Sequence, residues 1–325
     1  MPNRPLVVLL DDYEHAARRL TDWSAVEALA DLRVHHEPLR SDVLRKAVQD
    51  ADALLLMRDR TSVDAALIEA MPKLKYVAFT GTRNNALDIA SMQQRGVPVG
   101  FTEWGPSKES TCELTWALIL AAVKRLPQSV QALQGGQWRD GGALGQALHG
   151  ERLGLVGLGE IGSRVARVAT AFGMDVVTWS PRMTLERAAV HGARAVSLDE
   201  LVQTSKVVSL HLVMTEATRQ LFDATRFAQM RPDAIFVNTS RAGLADEFAL
   251  VAALQAGRPG AAALDVFTQE PLPSDHPLRA LPNALLSPHL GFVSQPVFER
   301  FYSDMAEGVL AWLRGEAIPR RMPGT

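Results

Sequence analysis

At 325 residues, 47% hydrophobic and 22% charged with a formal net charge of −2, the chain has the composition of a soluble globule and, at ~150 residues per domain, the length of about two domains. Near-neutral charge without a basic tail argues against a nucleic-acid footprint or an electrostatic membrane anchor. The single cysteine, Cys112, leaves no intramolecular disulfide and suggests a cytoplasmic address by default. The most apolar runs, such as "LTWALILAAV" at 114–123, stay below the ~20 residues of a membrane span, and no signal core follows the N-terminus.

Along the first hundred residues short β-like runs alternate with helical ones: "LVVLL", a helical stretch around Arg18 to Ala30, "DLRVHH", "SDVLRKAVQ", "ADALLLM", "SVDAALIEAM" and "LKYVAF". This alternation predicts a parallel sheet with helices on its faces, and Ser41 and Ser62 stand where helix caps are expected. A helical pattern over Pro106 to Leu126 is apolar on most sides, which predicts burial between domains or subunits. The Gly-rich "QGGQWRDGGALGQ" reads as a surface connection. A second α/β alternation follows: "RLGLVGLG", "EIGSRVARVATAFG", "DVVTWS", "KVVSLHLV", "AIFVNTS", "DEFALVAALQAG", "AAALDVF" and "ALLSPHLG". The tail "SQPVFERFYSDMAEGVLAWLRG" predicts one terminal helix with Ser294 as N-cap and Pro296 in its first turn.

"GLGEIG", Gly157 to Gly162, follows an apolar strand and opens a helix, with a second strand about 20 residues on. That context predicts a dinucleotide site. Gly157 permits the tight turn, Gly159 admits backbone to the pyrophosphate, Gly162 packs helix on sheet, and Glu160 and Ile161 lie in the turn itself. The second strand ends in Ser180, where an acid usually binds the ribose hydroxyls, with Arg182 two residues on. An uncharged serine beside a potential phosphate partner admits both NAD and NADP and leans toward NADP.

Three further stretches follow strands: "VNTSRAGLADE", "LDVFTQEPLP" and "LLSPHLG". Ligands gather at the carboxyl ends of strands in an open α/β sheet, so Arg241, Glu270 and His289 are placed to meet beside a nicotinamide. Hydride transfer to a carbonyl needs those types: a cation to polarise the oxygen, an acid to supply the proton, and a carboxylate to orient the imidazole.

With these motifs in this order, over about Arg4 to Gly315, the chain resembles the D-isomer-specific 2-hydroxyacid dehydrogenases. The resemblance implies two doubly wound α/β domains: a Rossmann cofactor domain at 103–290, inserted into a flavodoxin-like substrate domain made of 1–102 plus 291–325. It implies reversible NAD(P)-dependent reduction of a small 2-oxo acid to its D-2-hydroxy acid in a cleft that closes. Arg241 would bind the carboxylate and the C2 oxygen, His289 would act as acid/base, Glu270 would pair with it, and Asp265 would lie near the nicotinamide amide. The family's carboxylate-binding loop maps onto "TGTRNNALD", so Thr82 and Arg83 are the candidate contacts, with Arg83 where relatives usually have glycine. Arg60 falls where phosphoglycerate-using relatives reach toward the substrate. Ala242 and Val213 are mild departures from the family pattern. A homodimer formed through the cofactor domain, including the helix near Trp116 to Val123, is also implied.

A metal site is not expected: the adjacent His35 and His36 point to opposite faces of a strand, the lone cysteine has no partners, and no His-x-x-x-His pair sits on a helix. Glu270, where a formate dehydrogenase would have glutamine, argues against that activity. The alternative from another class is a nucleotide-sensing, corepressor-like binding protein of the same fold, which can keep all three polar residues. The lack of a disordered tail favours the enzyme.

Overall fold

Unbroken apolar runs become parallel strands when both faces of a sheet are covered. The computed structural model describes residues 4–139, 142 and 144–325, and the chain divides into two compact units, Met1–Pro106 with Ser294–Thr325, and Ser107–Val293. Asp140, Gly141 and Ala143 of the Gly-rich connection lie outside the described residues.

The first unit contains β1 (Leu6–Leu9), β2 (Asp31–Val34), β3 (Ala53–Leu56), β4 (Tyr76–Phe79) and β5 (Val99–Phe101). All pair in parallel in the order β2-β1-β3-β4-β5, the flavodoxin-like arrangement. β3 and β4 are buried at every position, whereas edge strand β2 exposes alternate residues. The stretch around Arg18 to Ala30 forms two short helices, Ala17–Leu20 and Ser24–Glu27, with the indole N–H of Trp23 donating to the Ala17 carbonyl at 3.0 Å. Neither expected serine cap holds. Ser41 is the first helical residue of Ser41–Val48, and the helix Ala65–Glu69 is capped by Asp64, which accepts from the Leu67 amide at 2.8 Å.

The terminal helix, Gln295–Arg314, belongs to this unit. It buries Phe301, Tyr302 and Val309, the Tyr302 hydroxyl donates to buried Asp12 at 2.6 Å, and the Trp312 ring stacks on Tyr76 with centroids 5.6 Å apart. Ser294 occupies the N-cap position, but its hydroxyl makes no capping bond.

The second unit contains β6 (Arg152–Val156), β7 (Asp175–Trp179), β8 (Arg194–Ala195), β9 (Val207–Leu210), β10 (Ile235–Asn238), β11 (Ala261–Leu264) and β12 (Ala284–Leu286), all parallel, ordered β12-β11-β10-β9-β6-β7-β8. This is the Rossmann order, reversing between β6 and β9. The apolar helix Ser107–Lys124 packs inside this unit, with Trp116, Ile119 and Val123 joining Leu153, Leu155 and Val165 in one core. Much of its apolarity therefore reflects burial on the sheet, while Glu113, Ala117 and Lys124 remain exposed. Arg125 breaks it with φ 53, and a further helix the sequence reading leaves unassigned, Leu126–Gln134, follows with Pro127 in its first turn. Among the described residues no helix is long and apolar enough to cross a membrane.

Lys206, only 2% exposed, places its ammonium 3.1 Å from Asp233, which also accepts from Arg231 at 2.8 and 2.9 Å. Hydrogen bonds from Arg231, opposed by partial burial and reinforced by Lys206, hold the Asp233 carboxyl down at about 2. A folded-state value below the unfolded one means stability that is present above the unfolded value and lost as pH falls through the folded one. Urea midpoints measured from about pH 4 down to about pH 2 should therefore fall less steeply in Asp233→Asn than in the parent. Equal slopes would show that this carboxylate is not a source of the acid sensitivity.

Candidate active site

The glycine turn joins β6 to the helix Glu160–Ala171, with Gly159 at the N-cap. Gly157 has φ 104, a conformation L side chains rarely adopt, and a Cβ there would come 2.7 Å from the His211 carbonyl oxygen. A Cβ on Gly162 would lie 2.3 Å from the Gly157 carbonyl oxygen, so the helix sits against the turn only because this residue has no side chain. Gly159 is different: nothing lies within 4 Å of where its Cβ would be. Open space beside the unpaired first-turn amides of a helix fits a pyrophosphate. Glu160 adds negative charge there, but its carboxylate pairs with the Lys108 ammonium, and Ile161 turns inward against the core.

Ser180 follows β7 directly, and its carbonyl accepts from the Met183 amide at 3.0 Å in a tight turn. Arg182 is exposed and has no acidic partner among the described residues. Its carbonyl accepts from Arg187 at 2.6 Å, which ties the turn to the helix Leu185–Ala189.

Arg241, Glu270 and His289 follow β10, β11 and β12, on the same carboxyl edge as the glycine turn after β6. His289 Nδ1 lies 2.7 Å from Glu270 Oε2, with both side chains about one-third exposed at 37% and 36%. The other carboxylate oxygen of Glu270 accepts from the Phe267 amide at 2.9 Å. Burial acts to raise the Glu270 pKa, but the bond to and charge of His289, the Phe267 N–H and the charge of Arg241 outweigh it and hold the carboxyl below its ordinary value. With Nδ1 committed to the carboxylate, Nε2 is the ring nitrogen left to exchange a proton. The backbone of Arg241 is fixed by Asn238, whose amide donates to its carbonyl at 3.0 Å, while its exposed guanidinium bonds to the Ser240 carbonyl at 2.8 Å.

Asp265 is tied to the loop that follows β12. It is 1% exposed, and its carboxylate accepts from the Ser287 hydroxyl at 2.6 Å, the Leu290 amide at 2.7 Å and the Gly291 amide at 2.9 Å. Burial nevertheless raises its pKa, against those hydrogen bonds. These bonds bracket His289, which sits at φ 56, so the buried acid clamps the loop that presents the imidazole. The aspartate is visible in "LDVF"; its partners, which come from a different strand end, are not.

In the first unit Thr82 accepts a hydrogen bond from the Trp104 indole at 3.0 Å, and Arg83 is exposed. The glycine missing at Arg83 costs nothing in strain: the left-handed residue of this loop is Gly81, at φ 80, and Arg83 is not at positive φ. Arg58, which the sequence reading passes over, holds the loop by donating to the carbonyls of Thr80 and Arg83 at 2.9 and 3.1 Å, while its guanidinium lies 4.3 Å over the Trp104 ring. No spacing distinguishes it from the other arginine of "MRDRT". Arg60 does not reach outward as expected: its guanidinium is taken up by Glu14 at 2.8 Å and the Asp11 carbonyl at 2.7 Å.

The Rossmann order, the three-glycine turn and the Arg, Glu and His at its carboxyl edge define a dinucleotide-dependent oxidoreductase. Comparison with known proteins agrees. The family model for the NAD-binding domain of D-isomer-specific 2-hydroxyacid dehydrogenases matches residues 116–291. The chain is 37% identical to the glyoxylate reductase of Aeropyrum pernix, covering 87% of this chain and 86% of that one. It is 39% identical to the D-3-phosphoglycerate dehydrogenase of Mycobacterium tuberculosis, covering 86% of this chain but 52% of that one, so it spans about half the length of that relative. A crystal structure of a phosphoglycerate oxidoreductase from Vibrio cholerae superposes with a TM-score of 0.89 at 35% identity, covering 96% of this chain and 99% of the other. The chain belongs to the D-isomer-specific 2-hydroxyacid dehydrogenase family.

The glycines allow a stability effect to be separated from a binding effect. Gly159→Ala should leave the melting temperature close to the parent's and weaken dinucleotide affinity by at least about tenfold, roughly 1.4 kcal/mol. Gly162→Ala should lower the melting temperature itself. Titration calorimetry and thermal melts of both variants check this, and unaltered affinity in Gly159→Ala would refute the pyrophosphate assignment.

Proposed function

We propose that the chain reduces a small 2-oxo acid to its D-2-hydroxy acid, reversibly, with NAD(P) as the hydride partner. The observation that carries this reading is the 2.7 Å bond from His289 Nδ1 to Glu270, on one sheet edge with Arg241 and the glycine turn. The nicotinamide, when bound, supplies the hydride. His289 Nε2 then gives its proton to the C2 oxygen, and takes it back in the oxidative direction. Glu270 fixes the ring orientation and balances the imidazolium charge while Nε2 holds the proton. The Arg241 guanidinium offers paired donors to the carboxylate and the C2 oxygen. Asp265 is a positioning residue, acting through the Ser287 to Gly291 segment. Thr82 and Arg83, held from behind by Arg58, bind the substrate carboxylate.

In this reading the first unit is the substrate domain and the second the cofactor domain. Gly157, Gly159, Glu160, Ile161 and Gly162 form the pyrophosphate turn. Ser180 and Arg182 favour NADP over NAD, because a serine does not repel a 2′-phosphate and an exposed arginine can pair with one. Assembly is a homodimer in which the Leu126–Gln134 helix is buried: Leu126, Val130 and Leu133 are 53%, 43% and 57% exposed along one face, more apolar surface than a lone helix face usually leaves in water.

His289→Asn should lower turnover at least about a hundredfold, the low end of general-acid contributions. The substrates to offer are glyoxylate, hydroxypyruvate, phosphohydroxypyruvate and pyruvate, with nicotinamide absorbance as the readout. Nucleotide binding without turnover of any of them would favour the sensor alternative. Run with NADPH and NADH in parallel, Arg182→Ala should cut the NADPH to NADH ratio in kcat/KM by about tenfold. A ratio that does not move removes Arg182 from cofactor choice.

A further inference from the structure

The first sheet has its own reversal point. Strand order turns between β1 and β3, so the loops leaving the carboxyl ends of those strands are neighbours, and this is where open α/β sheets take ligands. Glu14 lies on the first of these loops and Arg60 on the second. Arg60 donates from Nη2 to Glu14 Oε1 at 2.8 Å and from Nη1 to Oε2 at 3.1 Å, a two-pronged pair, and Nη1 also donates to the Asp11 carbonyl at 2.7 Å. Its guanidinium lies 4.3 Å over the Tyr13 ring. The loops are joined a second time by Asp11, whose carboxylate accepts from Thr61 at 2.7 Å and from Tyr13 at 3.0 Å. The Arg60 and Glu14 side chains are 15% and 23% exposed, so the pair is largely withdrawn from water, where screening is weak and the geometry strong.

Two consequences follow for a ligand at this edge. The positive charge of Arg60 is already cancelled, and a second anionic group arriving there meets the carboxylate of Glu14. We propose that Glu14 is a specificity-determining residue: by holding Arg60 it excludes 2-oxo acids that carry a second anionic group, phosphorylated ones above all, and leaves mono-anionic 2-oxo acids as the substrate class. This rests on reading the chain as a 2-oxo acid reductase whose substrate domain is the first unit. Discrimination of this kind works by repulsion and by the cost of breaking an existing pair, not by a better fit to the favoured ligand. It also separates this chain from the phosphoglycerate dehydrogenases it resembles without invoking the glycine turn or the acid/base pair, which serve either substrate equally.

Hydroxypyruvate and its phosphate ester differ only in the group at issue, so the ratio of their kcat/KM values reads the gate directly. In the parent the ester should be used at least about tenfold less efficiently. Glu14→Gln, which removes the carboxylate that neutralises Arg60, should raise the ester's relative efficiency by at least about tenfold, and the double variant Glu14→Gln with Arg60→Gln should bring it back down. A parent that prefers the ester overturns the proposal with no variant needed, as does an unmoved ratio in a Glu14→Gln protein whose thermal melt shows it folded. If the parent turns over neither compound, nor glyoxylate or pyruvate, the reductase reading itself fails and the proposal falls with it.

Discussion

The buried carboxylate of Asp265 draws the end of β12 and the loop beyond it onto the end of β11 through three hydrogen bonds. A buried acid at 1% exposure is costly unless its acceptor capacity is met, and here it is met by the segment on either side of His289. That segment carries a non-glycine residue at positive φ, a conformation that persists only where its surroundings over-determine it. The imidazole is thereby presented to Glu270, which is itself fixed by the Phe267 amide. The imidazole–carboxylate pair thus depends on a residue that bonds to the backbone beside it.

Both sheets use the same device to make room for chemistry. A parallel sheet whose strand order reverses leaves two adjacent loops at its carboxyl edge, and each unit has one such place. In the second unit the space is kept open by a glycine whose missing side chain nothing else fills. In the first it is occupied by an arginine and a glutamate that neutralise each other. One edge presents open space beside a helix N-terminus and the other a closed ion pair.

Much of this was legible in residue order. The alternation of strands and helices, the glycine turn with its flanking elements, and the Arg, Glu and His after three successive strands are local patterns, because each depends on what one short segment does. The misreadings have a common cause. Arg60 looked outward until Glu14, 46 positions away, was seen to hold it. That Asp265 holds Ser287 and the amides beyond it could not be read from "LDVF" alone. Ser62 looked like a cap, but Asp64, two residues nearer the helix, makes the bond. The helix Ser107–Lys124 was apolar all round in either case, and periodicity cannot say which neighbours cover a helix.

By itself the amino-acid order determined the α/β class, the dinucleotide turn and the Arg, Glu and His that follow three strands of one sheet, since steric permissiveness, strand-end position and side-chain chemistry are properties of single residues and their immediate neighbours. Only the tertiary structure decided which charges are free and which are spent. Hydrogen bonds and ion pairs join residues far apart in the chain, and whether an arginine meets a substrate or a glutamate is settled by which loops the strand order brings side by side.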